Sequence, residues 1–140
     1  MAFTGNYSCN TLRAGLANGS INLTTDTFYL ALYTNDATLN QTTTAYTATG
    51  EASGGNYTAG GQVVTTTVSS EPTSSGSITY VTFSSPSWTG EITARGALIY
   101  KAGDNGAVCV LDFGNDKTSA NTFTVTMPAN TSTSALIRLV

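Results

Sequence analysis

After residue 20, apolar and polar residues alternate along most of the chain. TFYLALYT (27–34), GQVVTTTVSS (61–70) and SITYVTFSS (77–85) show this most clearly. A period of two places successive side chains on opposite faces of a β-strand. In TFYLALYT both sets of alternate residues are partly apolar, so this segment predicts a central strand that is covered on both faces.

The second half of the chain continues the alternation. EITARGALIYKA (91–102) and GAVCVLDFG (106–114) flank Gly-Asp-Asn-Gly (103–106), a sequence typical of a β-hairpin with a two-residue turn. TFTVTMPA (122–129) and SALIRLV (134–140) alternate in the same way. These segments predict further strands, joined by short turns.

The remaining segments are less regular. YSCNTLRAGLAN (7–18) has leucines four residues apart and predicts one short helix, capped by Ser8 or Asn6 and ended by Gly19 in a left-handed turn. Residues 35–60 predict a long surface loop with one strand near TAYTAT, and PSWTG after residue 85 predicts a turn.

Together these elements predict an all-β fold. Seven or eight short strands with closely spaced turns are typical of a single antiparallel β-sandwich, of the immunoglobulin-like or jelly-roll type. We therefore expect an N-terminal arm or capping helix over 1–20 and a β-sandwich domain over 21–140, with no linker between them.

Composition narrows the classes of partner. Charged residues make up 9% of the chain, against about 25% in an average soluble domain. A net charge of −3 with five basic residues argues against nucleic-acid binding, which needs a cationic surface. The sequence also lacks a secretory signal pattern and any apolar run long enough to span a membrane, so we expect synthesis in a cytosol and no membrane partner.

The chain has two cysteines, Cys9 and Cys109. Cys109 lies in the apolar run VCVLDF, which favours a buried thiol in a protein made under reducing conditions. A disulfide between the two cysteines is the alternative that sequence alone leaves open.

Catalytic chemistry is poorly represented. The chain has no histidine, which removes serine–histidine and cysteine–histidine nucleophile pairs and most transition-metal sites. A small glycosidase would need two acids facing each other across a cleft, for which Glu51 and Asp112 are the residues to test. Calcium loops near Asp104 or Asp112 lack the EF-hand spacing. We expect no enzyme activity, no catalytic or cofactor-binding residues and no metal.

Two opposite charges fall inside predicted strands. With a two-residue turn at 104–105, Asp112 lies opposite Ala97 and diagonal to Arg95. An ion pair across this hairpin would let both charges tolerate partial burial, and we favour it. The alternative is that Arg95 contacts a partner subunit.

The glycine-rich stretch EASGGNYTAGGQVV (51–64) could suggest a phosphate-binding loop. It has no lysine and leads into a strand, whereas a Walker-type loop needs G-x-x-x-x-G-K-[ST] before a helix. We interpret the two glycine pairs as turn residues with positive φ on either side of an exposed Tyr57.

Several segments together resemble a known group of proteins. NYTAGG (56–61), ITARGALIY (92–100) and LDFGNDKTS (111–119) are the most specific, and they stand in order with TFYLALYT and TFTVTMPA. From about residue 20 to the end, the chain resembles small structural proteins of tailed bacteriophages.

The resemblance implies a virion component that is assembled in the host cytoplasm. It implies a capsid decoration (cement or head-fibre) protein, or alternatively a tail or fibre protein that binds a host receptor or glycan. The expected partners are other copies of the chain, with a trimer favoured on lattice grounds, and the major capsid protein or a neighbouring virion protein. Tyr46, Tyr57, Trp88 and Arg95 are the candidate contact residues. The alternative for the three aromatic residues is packing within the chain, which we favour for Trp88.

Overall fold

The computed structural model describes residues 3–139. In chain order the elements are β1 (Tyr7–Ser8), α1 (Asn10–Asn18), β2 (Phe28–Tyr33), β3 (Gln62–Val64), β4 (Thr66–Thr73), β5 (Gly76–Phe83), β6 (Ser87–Thr89), β7 (Thr93–Lys101), β8 (Ala107–Thr118), β9 (Thr122–Thr124) and β10 (Ile137–Leu139). Among these residues no helix is both long and apolar enough to cross a bilayer.

The strands form three antiparallel sheets. The largest has the order β1-β8-β7-β2-β3, the second β10-β5-β4, and the third pairs β6 with β9. The expectation of a mostly β protein with one short helix is confirmed. The sheets are not closed and two of them are small, so the structure establishes several antiparallel sheets rather than one sandwich.

Strand β2 separates two hydrophobic cores, as its pattern predicts. Phe28, Leu30 and Leu32 lie in the larger core, which also takes residues from β5, β6, β9 and β10. Ala31 and Tyr33 lie in the smaller core on the opposite side of the sheet. All five are fully buried, because β7 and β3 flank β2 and side chains cover both of its faces.

The N-terminal segment packs against the large sheet. Strand β1 pairs with β8, Phe3 is buried in the smaller core, and Leu12 of α1 is buried in the larger one. The helix begins later than expected: Cys9 stands at its N-cap without a side-chain hydrogen bond. Gly19 ends it in the left-handed conformation, as predicted, with φ of 82°.

The segment predicted as one strand over 61–70 is two strands in different sheets. Residues of β3 pair with β2, whereas those of β4 pair with β5. Between them, the backbone N–H of Thr65 donates to Ser84 Oγ (2.8 Å), and the Ser84 N–H donates to the Thr65 carbonyl (2.8 Å). The prediction of a single strand was wrong, because Thr65 redirects the chain without interrupting the alternation.

Two other local predictions were wrong. Residues 35–60 contain no strand near TAYTAT, only isolated bridges between Tyr33 and Glu51 and between Ala45 and Gly106. The predicted turn PSWTG contains strand β6, which pairs with β9 because Trp88 and Phe123 are both buried in the larger core.

The hairpin between β7 and β8 has a longer turn than predicted. The Lys101 N–H donates to the Gly106 carbonyl (2.9 Å), which leaves four residues in the loop. A register shift beside Ile99 then places Asp112 opposite Gly96, not opposite Ala97 as expected.

Both cysteines are buried and free in this structure. Cys9 lies in the smaller core and Cys109 in the larger one. Burial raises the pKa of the Cys9 thiol to about 11, with a small opposing effect from the positive charge of Arg13, and burial also raises the pKa of Cys109. The interpretation of the cysteines as core thiols therefore agrees with their surroundings.

Gly61, just before β3, offers a test of backbone packing. A Cβ at this position would lie 1.9 Å from the Leu30 carbonyl oxygen, and φ is +84°. Gly103 has a similar φ of +102° with no atom within 4 Å of the corresponding position. We expect Gly61→Ala to lower the free energy of unfolding by about 3 kcal/mol through strain plus the steric clash.

Gly103→Ala is the matched control and should cost only about 1 kcal/mol, because it adds left-handed strain alone. Urea unfolding followed by circular dichroism measures both losses. Equal losses in the two variants would show that close packing against β2 does not matter at Gly61.

Candidate functional site

The most extensive polar contacts in the irregular segment converge on Glu51. Tyr46 donates its hydroxyl proton to Glu51 Oε1 (2.7 Å), and Tyr57 donates to Oε2 (2.6 Å). The backbone N–H of Gly60 also donates to Oε2 (2.7 Å). We call Tyr46, Glu51, Tyr57, Gly60 and Tyr100 the glutamate–tyrosine cluster.

The cluster joins the irregular segment to two strands of the large sheet. The Tyr57 hydroxyl accepts a hydrogen bond from the backbone N–H of Leu32 in β2 (2.9 Å). Tyr100 in β7 donates to the Gly60 carbonyl (2.6 Å), and its ring stacks on Tyr46 with centroids 4.8 Å apart. The carboxylate thus fixes the course of residues 46–60 against the sheet.

The phenols of the cluster are held in their neutral form. Burial and the hydrogen bond to the Glu51 carboxylate raise the pKa of Tyr46 to about 12. The same two causes raise the pKa of Tyr57 further. Burial, together with the nearby negative charge of Glu51, raises the pKa of Tyr100. At neutral pH these hydroxyls therefore act as hydrogen-bond donors and not as nucleophiles.

This arrangement is suited to holding a loop. Glu51 accepts three hydrogen bonds, and none of the cluster residues lines the two cavities described below. The interpretation of the glycine pairs is confirmed: Gly54, Gly55, Gly60 and Gly61 all have positive φ. The carboxylate binds the Gly60 N–H, which a phosphate-binding loop would present to its anion.

The structure corrects the expected position of Tyr57. This side chain was expected to be exposed, but it is half-buried, packs against the larger core and lies 5.4 Å from the ring of Trp88. Trp88 itself is 3% exposed, and Tyr46 is half-buried. Tyr57 and Trp88 therefore belong to the larger core, whereas Tyr46 packs against the smaller one. Their role as partner contacts stays a prediction.

The fourth candidate, Arg95, forms a buried ion pair. Its guanidinium contacts Asp112 Oδ1, with the two side chains 5% and 12% exposed. Asp112 Oδ1 also accepts the Gly114 N–H (2.8 Å), and the guanidinium carbon lies 5.7 Å from the centroid of the Phe3 ring. The predicted ion pair across the β7–β8 hairpin is confirmed, although the register that forms it differs from the expected one.

Among residues 3–139, no three histidine, cysteine or acidic side chains are grouped so that they could hold a metal ion. Glu51 and Asp112, the acids considered for hydrolysis, belong to separate hydrogen-bonding networks. Each is already engaged by side chains and backbone groups of this chain.

Two open cavities lie outside the glutamate–tyrosine cluster. The first, of about 410 Å³, has Phe113 and Phe123 along the end of β8 and β9, with Lys117 and several threonines around them. The second, of about 310 Å³, is a groove between α1, β1 and β10 that includes Arg13 and Arg138. We call the second cavity the α1–β10 groove.

No protein-family model, curated protein or solved structure matches this chain. The arguments for its function are therefore drawn from the residues and their geometry, together with the sequence resemblance described above.

The role of Glu51 was missed by the sequence reasoning. A glutamate in a glycine-rich segment is usually solvated, and nothing in the local pattern indicates its three donors. One signal was present: Glu51 is the only charged residue between Asp36 and Glu71. The α1–β10 groove carried no local signal, because residues from both ends of the chain form it.

The cluster predicts a specific loss of stability in Glu51→Gln. The amide replaces one acceptor oxygen by an N–H₂ group that faces donors, so the free energy of unfolding should fall by about 2 kcal/mol. Glu91→Gln is the matched control, because Glu91 is exposed and its side chain makes no hydrogen bond within the described chain. Chemical unfolding of both variants gives the comparison, and a change of similar size in the two would contradict the role assigned to Glu51.

The raised tyrosine pKa values predict a loss of stability at alkaline pH. Below about pH 10 the phenols are neutral in both the folded and the unfolded chain, so their contribution is fully present. Above pH 10 the unfolded chain ionises first, and stability falls as the pH rises towards the folded pKa of Tyr46, about 12. Tyr46→Phe should reduce this pH dependence.

Phenolate absorbance and near-ultraviolet circular dichroism, recorded during one alkaline titration, measure this coupling. We expect part of the phenolate signal to appear together with unfolding. Complete ionisation of the tyrosines with the folded spectrum retained would contradict the prediction.

Proposed function

We propose that this chain is a non-enzymatic structural protein of a tailed-bacteriophage virion. The role that best fits is capsid decoration, in which a cement or head-fibre protein binds the capsid exterior and stabilises it. The phage assignment rests on the resemblance carried by NYTAGG, ITARGALIY and LDFGNDKTS. The geometry supports a function through protein contacts.

The observation that carries the proposal is the outer part of the β4–β5 hairpin. Every residue from 70 to 77 is exposed, so this length of two-stranded ribbon has no core on either face. An isolated hairpin is only marginally stable in water. Burial against a neighbouring protein would stabilise this part of the hairpin. The lattice of a virus particle would place such a neighbour beside each copy.

The networks around Glu51 and Arg95 support the same function. Both use charged side chains to hold the chain's own backbone and loops together. The remaining surface is rich in serine and threonine and poor in charge, which suits repeated contacts on a symmetric particle.

We infer that the three sheets act as the two layers of a sandwich. Residues of the large sheet share one core with Val81 and Phe83 of β5, Trp88 of β6 and Phe123 of β9. The two small sheets would then form the second layer. Such a sandwich would contact its neighbours through the β4–β5 hairpin and the loops, while both hydrophobic cores remain buried.

The proposed partners are other copies of the chain, as a trimer, and the major capsid protein or a neighbouring virion protein. Each individual contact would be weak because few charges are available. Attachment at many equivalent positions on the particle would raise the overall binding strength without any new contact.

A second candidate function is receptor or glycan binding by a tail or fibre protein. The cavity beside Phe113 and Phe123 favours it, because aromatic rings with neighbouring threonine hydroxyls can stack on and hydrogen-bond to a sugar. The cavity lining contains no asparagine, glutamine or aspartate.

Virions that lack the gene for this chain test the proposal. We expect intact heads that break more readily than wild-type heads under heat or osmotic shock, and restoration of their strength when the purified protein is added. Heads of normal strength on particles that fail to adsorb to cells would overturn the decoration role and support the second candidate.

A further inference from the structure

The α1–β10 groove contains two arginines without acidic partners. Of the basic residues described, Arg95 pairs with Asp112 and Lys101 lies near two aspartates, but Arg13 and Arg138 form no ion pair among residues 3–139. No acidic residue lines the groove. Arg13 donates only to Ser8 Oγ (3.1 Å) and Arg138 only to the Ser132 carbonyl (2.5 Å), so each guanidinium keeps free donors.

Apolar side chains accompany the two charges. Leu12, Leu16 and Leu136 line the groove, and Leu139 beside them is 44% exposed. The groove also lies between two free strand edges, because β1 pairs only with β8 and β10 only with β5 among the described strands. Such a surface suits an extended segment that combines a carboxylate with an apolar side chain.

The outer β4–β5 hairpin has this chemistry. We call residues 68–78 the arm. Val68 is 42% exposed, Glu71 is exposed and forms no ion pair within the described chain, and Ile78 is half-buried. Only three large hydrophobic residues of the described chain are strongly exposed, and two of them are Val68 of the arm and Leu139 of the groove.

The arm of one molecule does not cover its own groove. In the order β10-β5-β4, strands β10 and β4 are the two edges of the sheet. The groove lies at the β10 edge, and β4 lies at the other edge. The pairing of Leu139 with Thr79 also places the exposed part of the arm beyond the end of β10. A second molecule is needed to bring an arm to the groove.

We propose that the arm of a second copy of this chain docks in the α1–β10 groove. Glu71 of one copy pairs with Arg138 and Arg13 of the next, and Ile78, which is paired with Glu71 and shares its face of the hairpin, packs against Leu139. Pro72 removes a backbone donor from β4, so the arm binds through its side chains and not as a continuous added strand. The inference rests on the self-association that the proposed function includes.

The contact is heterologous, since each molecule gives an arm and receives one. Interfaces of this kind form closed rings when the rotation between neighbours closes. A closed ring of three copies would use every arm and every groove once, as in the proposed trimer.

Charge reversal of the full-length protein tests the contact. Light scattering during size-exclusion chromatography should show an oligomer for the wild type, and Glu71→Arg and Arg138→Glu should each weaken association by about tenfold or more. The triple variant Glu71→Arg/Arg13→Glu/Arg138→Glu should restore association, because it re-forms both pairs with reversed polarity.

Glu91→Arg and Lys117→Glu are the matched controls, since both residues are exposed and lie outside the arm and the groove. They should leave the oligomer unchanged. Thermal unfolding of each variant confirms that it folds, as expected for substitutions at exposed positions.

Three results would overturn the inference: a monomeric wild type at high concentration, single variants that associate normally, or a triple variant that stays dissociated. If the wild type is monomeric and binds particles only when the arm is intact, then the arm binds the capsid protein and not a second copy. The decoration role would be retained in that case. Conversely, a ring that adds no strength to heads would overturn the decoration role and leave the arm–groove contact intact.

Discussion

The carboxylate of Glu51 stabilises the long segment between β2 and β3, in which the chain forms no strand. Glu51 accepts hydrogen bonds from two phenols and a backbone N–H, and these donors reach back to β2 and β7. The segment between β2 and β3 has no strand, so it depends on this anchor to cover one side of the sheet. The ring of Tyr57 lies beside Trp88, and Gly60 lies two residues before the start of β3.

The long strands were predictable because burial on at least one face imposes a period of two. Strands β2 and β7 fall within segments identified from that pattern, β5 begins one residue before its segment, and β8 extends four residues beyond its own. The change of sheet at Thr65 was not predictable, since it requires hydrogen bonds to Ser84, which is distant in sequence, and leaves the alternation intact. Periodicity reports which side chains face inward, but not which strand is the neighbour.

The candidate sites differed in the same way: the contact between neighbouring strands could be predicted, and the contacts between distant segments could not. The pair of Arg95 with Asp112 could be expected, because a charge buried in a strand is costly unless an opposite charge lies beside it. A register that differs by one residue from the expected one still allows this pair. The anchoring role of Glu51 depends on donors that meet only after the chain has folded. Its isolation in a long uncharged segment is the one clue that sequence offers.

The passage of residues 62–73 from one sheet to the next also has a mechanical consequence. This continuous stretch supplies β3 to the large sheet and most of its length, as β4, to the second sheet. A force that separates these two sheets would load the β2–β3 and β4–β5 hydrogen bonds at once, through a linker of one residue. Both sets of hydrogen bonds therefore carry the same load, and the weaker set limits the force that this connection withstands.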